Sequence, residues 1–489
     1  MGLVSKQAYS NTVNIVIGFI AGAINTIFVL PKAFENSLDD WGLLKLILSF
    51  ALILAPVFGL GVNNIIIKEY VGNREKSYKE SILGFSLIIA ISGAALLSLF
   101  VYFDGLSLFI NDRDVLLVEK NIISLLVLAI SLTIGQVFTG FIVAKHKTPI
   151  IQFVNDTFLK VSYLLLSLYY LFFPFDFELF FLLYVLTYAL TVVIYFIYAK
   201  RIGFSAQFKF KLLSIKELIN YGFYTVLDKG AAIIVANLDL IMIAYLLQLS
   251  DVAIYGLAFF IAAVILIPQK AIMTPSYPLV SAAVKTEKYD GLEKLYKQSS
   301  INQLLIGGVL FVLIWANINE IFSFIPKNFS SGKWVVFYIG LSRLFILSTG
   351  VSGPIIVFSK YYRINLFFNL FLVALTIGSN YFLINEYGMI GAAMATAITF
   401  LIYNILKATY IKYRFKIHPF TLETIKSIAI LLIVHTIASK IDFYENLPLV
   451  SIILKSIIIL LLFVIGFYGL KVKAEILEVP KKIIKRLRN

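Results

Sequence analysis

Apolar stretches of about 20 residues follow one another along almost the whole chain, and the polar segments between them are short. A helix of that length crosses the hydrocarbon layer of a bilayer and satisfies its own backbone hydrogen bonds there. The pattern predicts an all-α polytopic membrane protein with about fourteen transmembrane helices. We place these helices at residues 12–30, 41–65, 81–103, 121–144, 151–173, 179–199, 218–247, 252–275, 300–323, 334–358, 364–384, 388–408, 422–440 and 447–470.

Composition removes most classes of enzyme. Hydrophobic residues make up 60% of the chain and the mean hydropathy is +0.92, more than a soluble core could bury. The absence of cysteine excludes thiol catalysis and thiolate metal ligands, and the three histidines share no ligand spacing, so no metal or other cofactor is expected. No phosphate-binding loop of the Gly-x-x-x-x-Gly-Lys-Ser/Thr type is present, and the loops cannot house a glycosyl-polymerising active site. We therefore expect a secondary transporter and not an enzyme.

The basic charge follows from membrane topology. The formal net charge is +15, with 42 Lys and Arg against 27 Asp and Glu. With the amino terminus inside, most of the basic residues fall in inner loops and tails, because cations resist translocation. Both termini are therefore predicted to lie in the cytoplasm. Since topology accounts for the positive charge, no nucleic-acid partner is expected.

Two halves of the chain carry similar short segments. Trp41-Gly42-Leu43 and Tyr255-Gly256-Leu257 lie 214 residues apart, as do Phe153-Val154-Asn155 and Phe367-Phe368-Asn369. This repeat predicts two parallel six-helix lobes, residues 1–205 and 206–416, followed by an extra helix pair and a basic cytoplasmic tail, residues 417–489. Parallel lobes of this kind enclose a cavity and rock to open it to alternate sides of the membrane.

Two longer motifs carry a family resemblance. Asp239-Leu-Ile-Met-Ile-Ala-Tyr-Leu-Leu247 is followed by Ser250-Asp-Val-Ala-Ile-Tyr-Gly-Leu-Ala258, and the twelfth predicted span holds Tyr387-Gly-Met-Ile-Gly-Ala-Ala-Met-Ala-Thr396. In these motifs and in its span count the chain resembles the O-antigen and polysaccharide exporter branch of the multidrug/oligosaccharidyl-lipid/polysaccharide exporter superfamily. The resemblance implies a flippase of the bacterial inner membrane. Its substrate would be an undecaprenyl-diphosphate-linked oligosaccharide, carried from the inner to the outer leaflet. Membrane lipids, a polysaccharide polymerase and glycosyltransferases are the partners that the resemblance implies.

Cations within predicted spans are candidates for binding the diphosphate. A charged side chain at the centre of a membrane helix costs roughly 2.5–3.5 kcal/mol, so it normally faces a cavity or a partner. We assign substrate binding to Lys160, Lys229, Lys270 and Arg343, with structural ion pairing as the alternative for each. Lys455 lies close enough to the predicted outer surface to snorkel there, and we leave it out of the site.

Three carboxylates within spans are candidates for ion coupling or for structural pairing. Asp156 precedes Lys160 by one helical turn, so the two side chains share a face and are placed to neutralise each other. Asp228 and Asp239 are 11 residues apart, about three turns, and share a face of the seventh span. A gate or ion site and a structural hydrogen bond are both open for Asp239.

Two other transporters compete with the leading interpretation. A multidrug exporter of the same superfamily usually has twelve spans and acidic residues in its first half, whereas the first span here has no carboxylate. A peptidoglycan-precursor flippase also has fourteen spans and a cationic cavity. The extra helices 422–440 and 447–470 are apolar enough to line a groove for a prenyl tail or to pack against the bundle.

The predicted topology can be tested with one thiol. We expect the loop 200–217 to face the cytoplasm, and because the chain has no native cysteine, Lys209→Cys would carry its only thiol. An impermeant maleimide should label this variant in inverted membrane vesicles and not in intact cells. Labelling of intact cells would reverse the orientation.

Overall fold

The computed structural model describes residues 3–71, 75–103, 105, 117–287, 289–441 and 447–472. Within these ranges it describes the side chains from residue 10 onward, except those of residues 212, 229, 270 and 271. Every regular element in the described residues is helical, which confirms the all-α prediction. The predicted basic tail lies outside them from residue 473 onward. Contacts divide the chain into two compact units, Met1–Ile254 and Tyr255–Asn489, while the lobe boundary at residue 205 stays a prediction.

The first unit begins with α1 (Leu3–Ala23), which a π-helical turn (Ile24–Val29) joins to the short α2 (Leu30–Ala33). A second π-helical turn (Phe153–Phe158) lies between two later helices. The other helices, in chain order, are α3 (Leu38–Phe58), α4 (Val62–Tyr70), α5 (Lys76–Tyr102), α6 (Ile122–Ala144), α7 (Pro149–Gln152), α8 (Leu159–Phe172), α9 (Phe177–Arg201) and α10 (Ile215–Leu246). The buried core forms where α4, α5, α6 and α9 pack together.

The second unit contains the remaining helices. One helix, α11 (Leu249–Ala263), begins in the first unit and ends in the second. It is followed by α12 (Ile267–Lys285), α13 (Tyr289–Ala316), α14 (Ile318–Phe322), α15 (Lys333–Leu347), α16 (Ser352–Phe358), α17 (Ile364–Phe415), α18 (Leu422–Ala438) and α19 (Pro448–Gly469). The extra helix pair, α18 and α19, shares a buried apolar core with α13. The pair is therefore an integral part of this unit.

Nine of the described helices are long and apolar enough to cross a membrane. A tenth candidate is the bent pair Lys327–Leu347 and Ser352–Phe358, whose parts meet at 49°. These helices establish a multi-pass membrane protein, while the count of fourteen stays a prediction. One reason for the lower number is that α17, with 52 residues, covers two predicted spans in one element.

A glycine marks the boundary between those two spans. Within α17, Gly388 has φ 59° and ψ −145°, a conformation that breaks the helix and that side chains with a Cβ rarely adopt. Three residues later, Gly391 lies directly against the backbone carbonyl of Leu383. The motif from Tyr387 to Thr396 therefore forms the tight connection between two helices, as expected of small residues in membrane proteins.

The repeated Trp-Gly-Leu segment of the first unit is also a site of close helix packing. Trp41 and Leu43 are buried in α3, and Gly42 lies against the backbone of Leu249 at the start of α11. A side chain at position 42 would meet that backbone directly. This segment is therefore constrained by packing.

We expect Gly391→Ala to lower the stability of the protein, because the added methyl group would collide with the Leu383 carbonyl. Overpacking of this kind costs about 1–3 kcal/mol. The matched control is Gly378→Ala in the same helix, where no nonlocal atom lies within 4 Å of the added Cβ. The control should be neutral or gain up to about 1 kcal/mol from helix propensity. Thermal unfolding in detergent measures both, and equal midpoints for the two variants would contradict the packing argument.

Candidate functional site

Asp156 and Lys160 form an ion pair in the first unit. Asp156 lies in the π-helical turn Phe153–Phe158, and Lys160 lies in the first turn of α8. The Lys160 Nζ is 3.1 Å from the Asp156 Oδ1, and the two side chains are 42% and 23% exposed. The structure brings the two charges together, while substrate binding by Lys160 and ion coupling by Asp156 stay predictions. The pair is accessible enough to exchange partners with an anion.

The segment that carries this pair is crossed closely by α1. Gly18 of α1 lies against the backbone of Asp156, and the Thr157 Oγ1 donates a hydrogen bond to the Asn14 Oδ1 at 3.0 Å. Both contacting segments contain or adjoin a π-helical turn, which widens the helix and occurs frequently at functional sites. The fifth span is therefore irregular where the charges lie, and the first span becomes irregular a few residues after its contact with them.

Both carboxylates of the seventh span lie on α10, which runs unbroken from Ile215 to Leu246. Asp228 is partly exposed, while Asp239 is buried at 4% exposure, and both interact with other groups. The unbroken helix supports the predicted shared face of the two residues.

Two of the predicted cations lie outside the described side chains. Lys229 belongs to α10 and Lys270 to α12, and in both cases only the backbone is described. Their assignment to substrate binding stays a prediction.

Arg343 lies in the interior of the second unit. Its side chain projects from α15, is 7% exposed, and places its Cζ 4.6 Å from the ring centroid of Phe259 on α11. An aromatic face attracts a guanidinium electrostatically, most strongly where water is excluded. The ring thus offsets part of the cost of burying this charge.

Lys45 and Lys407 are two intramembrane cations that the sequence analysis missed. Lys45 is partly buried in α3, with its Nζ 5.9 Å from the Trp41 ring centroid. Lys407 is 7% exposed in α17. Each lies within a few residues of the end of a predicted span, where a lysine is expected to reach water. Only the packing of neighbouring helices encloses them.

An apolar groove of about 440 Å³ runs along α18, the first helix of the extra pair, in the second unit. It is walled by α13, α15, the carboxyl half of α17, and α18, over about 16 Å between Thr424 and His435. Its polar lining residues are Ser348, Thr349, Asn404, Thr424 and His435. The Thr349 Oγ1 donates to the Asn404 Oδ1 at 2.9 Å. The groove has the dimensions and the chemistry to hold a hydrocarbon chain.

Lys455 attaches the extra helix pair to the rest of the unit. Its Nζ lies 2.5 Å from the Oε1 of Glu320 on α14, and the Ser451 Oγ donates to the same oxygen at 3.2 Å. The side chains of Lys455 and Glu320 are 5% and 16% exposed. Lys455 therefore pairs inside the protein, where the sequence analysis expected it to snorkel to the surface.

Glu320 lies outside the helices that are long enough to span the membrane, because α13 ends at Ala316 and α14 is a separate short helix. Burial raises the pKa of its carboxyl, but the hydrogen bonds from Lys455 and Ser451 outweigh burial and leave that pKa below its ordinary value. The ionised form of Glu320 therefore contributes to stability.

Among the described residues, no group of three or more His, Cys, Asp or Glu side chains could hold a metal ion.

The chain is similar to known proteins in its sequence and in its fold. The sequence model of one family, described as "Polysaccharide biosynthesis protein", matches residues 9–284, more than half of the chain. No protein of curated function matches the sequence.

Solved structures resemble the fold at low sequence identity. The lipid II flippase MurJ, in an inward closed conformation, matches with a TM-score of 0.70 at 13% identity, covering 96% of this chain and 99% of that one. An inward-facing multidrug resistance transporter of the MATE family, in the MOP superfamily, matches with a TM-score of 0.63 at 14% identity over 83% and 98% of the two chains. A MOP superfamily transporter from Pyrococcus furiosus gives 0.55 at 14% identity over 83% and 95%. The chain therefore shares the fold of these solved structures.

We expect Glu320→Gln to destabilise the protein by about 3 kcal/mol, because it leaves the buried Lys455 ammonium without its counter-charge. The matched control is Glu423→Gln, which breaks the more exposed Glu423–Lys426 pair and should cost at most about 1 kcal/mol.

The effect of Glu320→Gln should depend on pH. Since the folded pKa of Glu320 is lowered, its contribution is complete above the ordinary pKa of glutamate and is lost as the pH falls through the lowered value. Thermal unfolding of wild type and Glu320→Gln from neutral to acid pH measures this. A difference between them that persists in acid would contradict the role of the carboxylate charge.

Proposed function

The chain belongs to the family of polysaccharide biosynthesis proteins, and from that membership we propose that it is a flippase for lipid-linked oligosaccharides. The substrate we infer is an undecaprenyl-diphosphate-linked repeat unit of a surface polysaccharide such as O-antigen. The protein would carry it from the inner to the outer leaflet by alternating access. The family and the superfamily relatives are transporters and flippases, not enzymes.

The apolar groove along α18 is the observation that carries this proposal. A lipid-linked sugar has a polar head that must leave water and a long hydrocarbon tail that need not. A groove of about 440 Å³ with a mainly apolar lining suits such a tail, whereas a water-soluble substrate would gain nothing from it. One wall of the groove is α18, which packs against α19, the helix that carries Lys455 of the buried Glu320–Lys455 pair.

Cations on several helices support the recognition of the diphosphate. Charge-assisted hydrogen bonds from Lys and Arg replace part of the hydration that a diphosphate loses on leaving water. Arg343 is buried and positioned on Phe259, and Lys160 is partly exposed beside Asp156. We propose that these two side chains act with Lys229 and Lys270. For Asp156, Asp228 and Asp239 we propose ion coupling or structural pairing.

A peptidoglycan-precursor flippase is the second candidate. The match to the lipid II flippase structure covers 96% of this chain, and the match to the multidrug transporter structure covers 83%. The glycan on the lipid separates the two flippase candidates.

The cellular setting of the proposal follows from the predicted topology. We place the protein in the bacterial inner membrane with both termini in the cytoplasm, where glycosyltransferases assemble the lipid-linked unit. A polysaccharide polymerase on the outer side would then consume it.

Reconstitution into vesicles tests the function. We expect the wild-type protein to move a fluorescent undecaprenyl-diphosphate-linked oligosaccharide between leaflets and to leave cationic dyes inside the vesicles. Lipid II is assayed in a parallel arm, and faster movement of lipid II would select the second candidate. Ion-driven dye efflux without lipid movement would overturn both flippase candidates.

The proposed cations are tested in the same vesicles. Replacing Lys229, Lys270 and Arg343 together with Gln should slow translocation at least about tenfold, since each removes a charge-assisted hydrogen bond. The control is Lys426→Gln, which removes a cation that is already paired with Glu423. Wild-type translocation by the triple variant, at equal protein content, would remove the anion-binding role.

A further inference from the structure

Lys407 is a buried cation of the second unit that has no role in the transport site described above. Its Nζ lies 3.5 Å from the Tyr403 hydroxyl and 4.8 Å from the centroid of that ring. Within the described part of the chain, no carboxylate lies within 4.0 Å of this ammonium. A buried ammonium without a counter-charge is costly, in contrast to Lys455, which has Glu320.

The first unit shows that this fold does not require a cation at the corresponding place. The Tyr195 hydroxyl donates to the Asn155 Oδ1 at 2.9 Å, and in the second unit the Tyr403 hydroxyl donates to the Asn369 Oδ1 at 3.1 Å. One turn after each tyrosine the two units differ. The first unit has Ala199, which is fully buried, and the second has Lys407. Both units therefore share the Tyr–Asn hydrogen bond, and only the second adds a lysine, Lys407, one turn later.

The neighbours of Lys407 connect it to the apolar groove. Asn404, one turn before it on α17, lines the groove and accepts a hydrogen bond from Thr349, which also lines it. Ser352, buried beside this pair, donates to the Thr349 Oγ1 at 3.4 Å. A chain of polar groups thus leads from one end of the groove toward the buried ammonium.

The backbone beside the ammonium leaves space open. At Gly353, the first residue after Ser352, an added Cβ would lie 3.7 Å from the Lys407 Nζ, and no other nonlocal atom lies within 4 Å. Any other residue at this position would place a side chain against the ammonium. Gly353 therefore keeps a side chain out of the space beside the Lys407 Nζ.

We propose that Lys407, Asn404 and Thr349 form the head-group end of a binding site for a phosphate-headed lipid. The phosphate pairs with Lys407, and the hydrocarbon chain lies in the groove. A phosphate can accept from the Lys407 ammonium and from the second N–H of the Asn404 amide at once, while the Thr349 hydroxyl keeps its hydrogen bond to the Asn404 Oδ1. The mainly apolar groove next to these groups selects an anion attached to a hydrocarbon over a free one. This inference rests on the proposed function in one respect, that the groove binds the hydrocarbon chain of a lipid.

Binding of defined lipids to the purified full-length protein in nanodiscs tests the site. The probes are undecaprenyl phosphate, undecaprenol, phosphatidylglycerol and inorganic phosphate. We expect undecaprenyl phosphate to bind more tightly than undecaprenol by about tenfold or more, because undecaprenol lacks the group that pairs with Lys407. Inorganic phosphate should bind far more weakly than either phosphate-headed lipid.

Variants show whether lipid binding depends on the Lys407 ammonium or on positive charge in general. Lys407→Met should remove the preference for undecaprenyl phosphate over undecaprenol, and Lys407→Arg should retain it. The control Lys426→Met removes a cation of the same unit that is already paired with Glu423, and it should bind as wild type does. An unchanged preference in Lys407→Met, or equal binding of undecaprenol and undecaprenyl phosphate by wild type, would overturn the proposal.

Thermal unfolding separates a ligand site from a structural role. Without added lipid, Lys407→Met should unfold at the same temperature as wild type or higher, because it removes a buried charge that lacks a counter-ion. Undecaprenyl phosphate should raise the midpoint of wild type and leave that of Lys407→Met unchanged. A variant that unfolds earlier and is still stabilised by the lipid as wild type is would show a structural lysine and overturn the proposal.

The two lipids distinguish the sources of the phosphate. Lys407-dependent binding of both undecaprenyl phosphate and phosphatidylglycerol assigns the site to anionic lipids in general, and binding of the first alone assigns it to the carrier lipid. Lys407-dependent binding in a protein that translocates no oligosaccharide would keep this site and reject the proposed function. Translocation of the oligosaccharide with no Lys407-dependent binding would keep the proposed function and reject this site.

Discussion

The cost of placing charge in hydrocarbon governs the arrangement of this protein. An ion carried by a membrane helix normally needs a counter-charge, an aromatic face, a ligand or a water-filled cavity, since the hydrocarbon around it holds no water. The described residues use several of these solutions. Asp156 neutralises Lys160 within one helix turn, Glu320 neutralises Lys455 across two helices, and Phe259 offsets the burial of Arg343. Lys407 is served only by the ring and hydroxyl of Tyr403 among the contacts described above, so its charge is available to an external anion.

Lipid tails are as apolar as the helix surfaces, so the hydrophobic effect does not drive helices together inside the membrane. Close packing has to supply the attraction between them. Glycines therefore occur where backbones touch. Gly18 meets the backbone of Asp156, Gly42 that of Leu249, and Gly391 that of Leu383. Interruptions of the helices lie at or near such contacts, as with the π-helical turn that holds Asp156 and the break at Gly388. Close packing and local irregularity together position the charged side chains.

The extra helix pair adds a lipid-facing element to the second unit. Its helices share an apolar core with α13, and one of them closes a long apolar groove. The Lys455 ammonium would be costly in hydrocarbon, and its ion pair with Glu320 both neutralises it and attaches α19 to α14. This combination of an apolar groove with interior cations is what a lipid carrying a charged head requires, and it underlies the function that we propose from the family.

The sequence by itself determined the class of protein, its helical architecture and its family. Apolar runs of membrane-spanning length have one structural solution, and the motifs around Asp239 and Gly388 are local in the chain. Local spacing also predicted the Asp156–Lys160 pair, because residues one turn apart are neighbours on any helix. Only the tertiary structure decided which distant groups meet. Glu320 and Lys455 are 135 residues apart, and the enclosure of Lys407 depends on helices that the chain brings together by packing. A charge interacts over a few ångströms of space, and a sequence specifies such distances only within one helix.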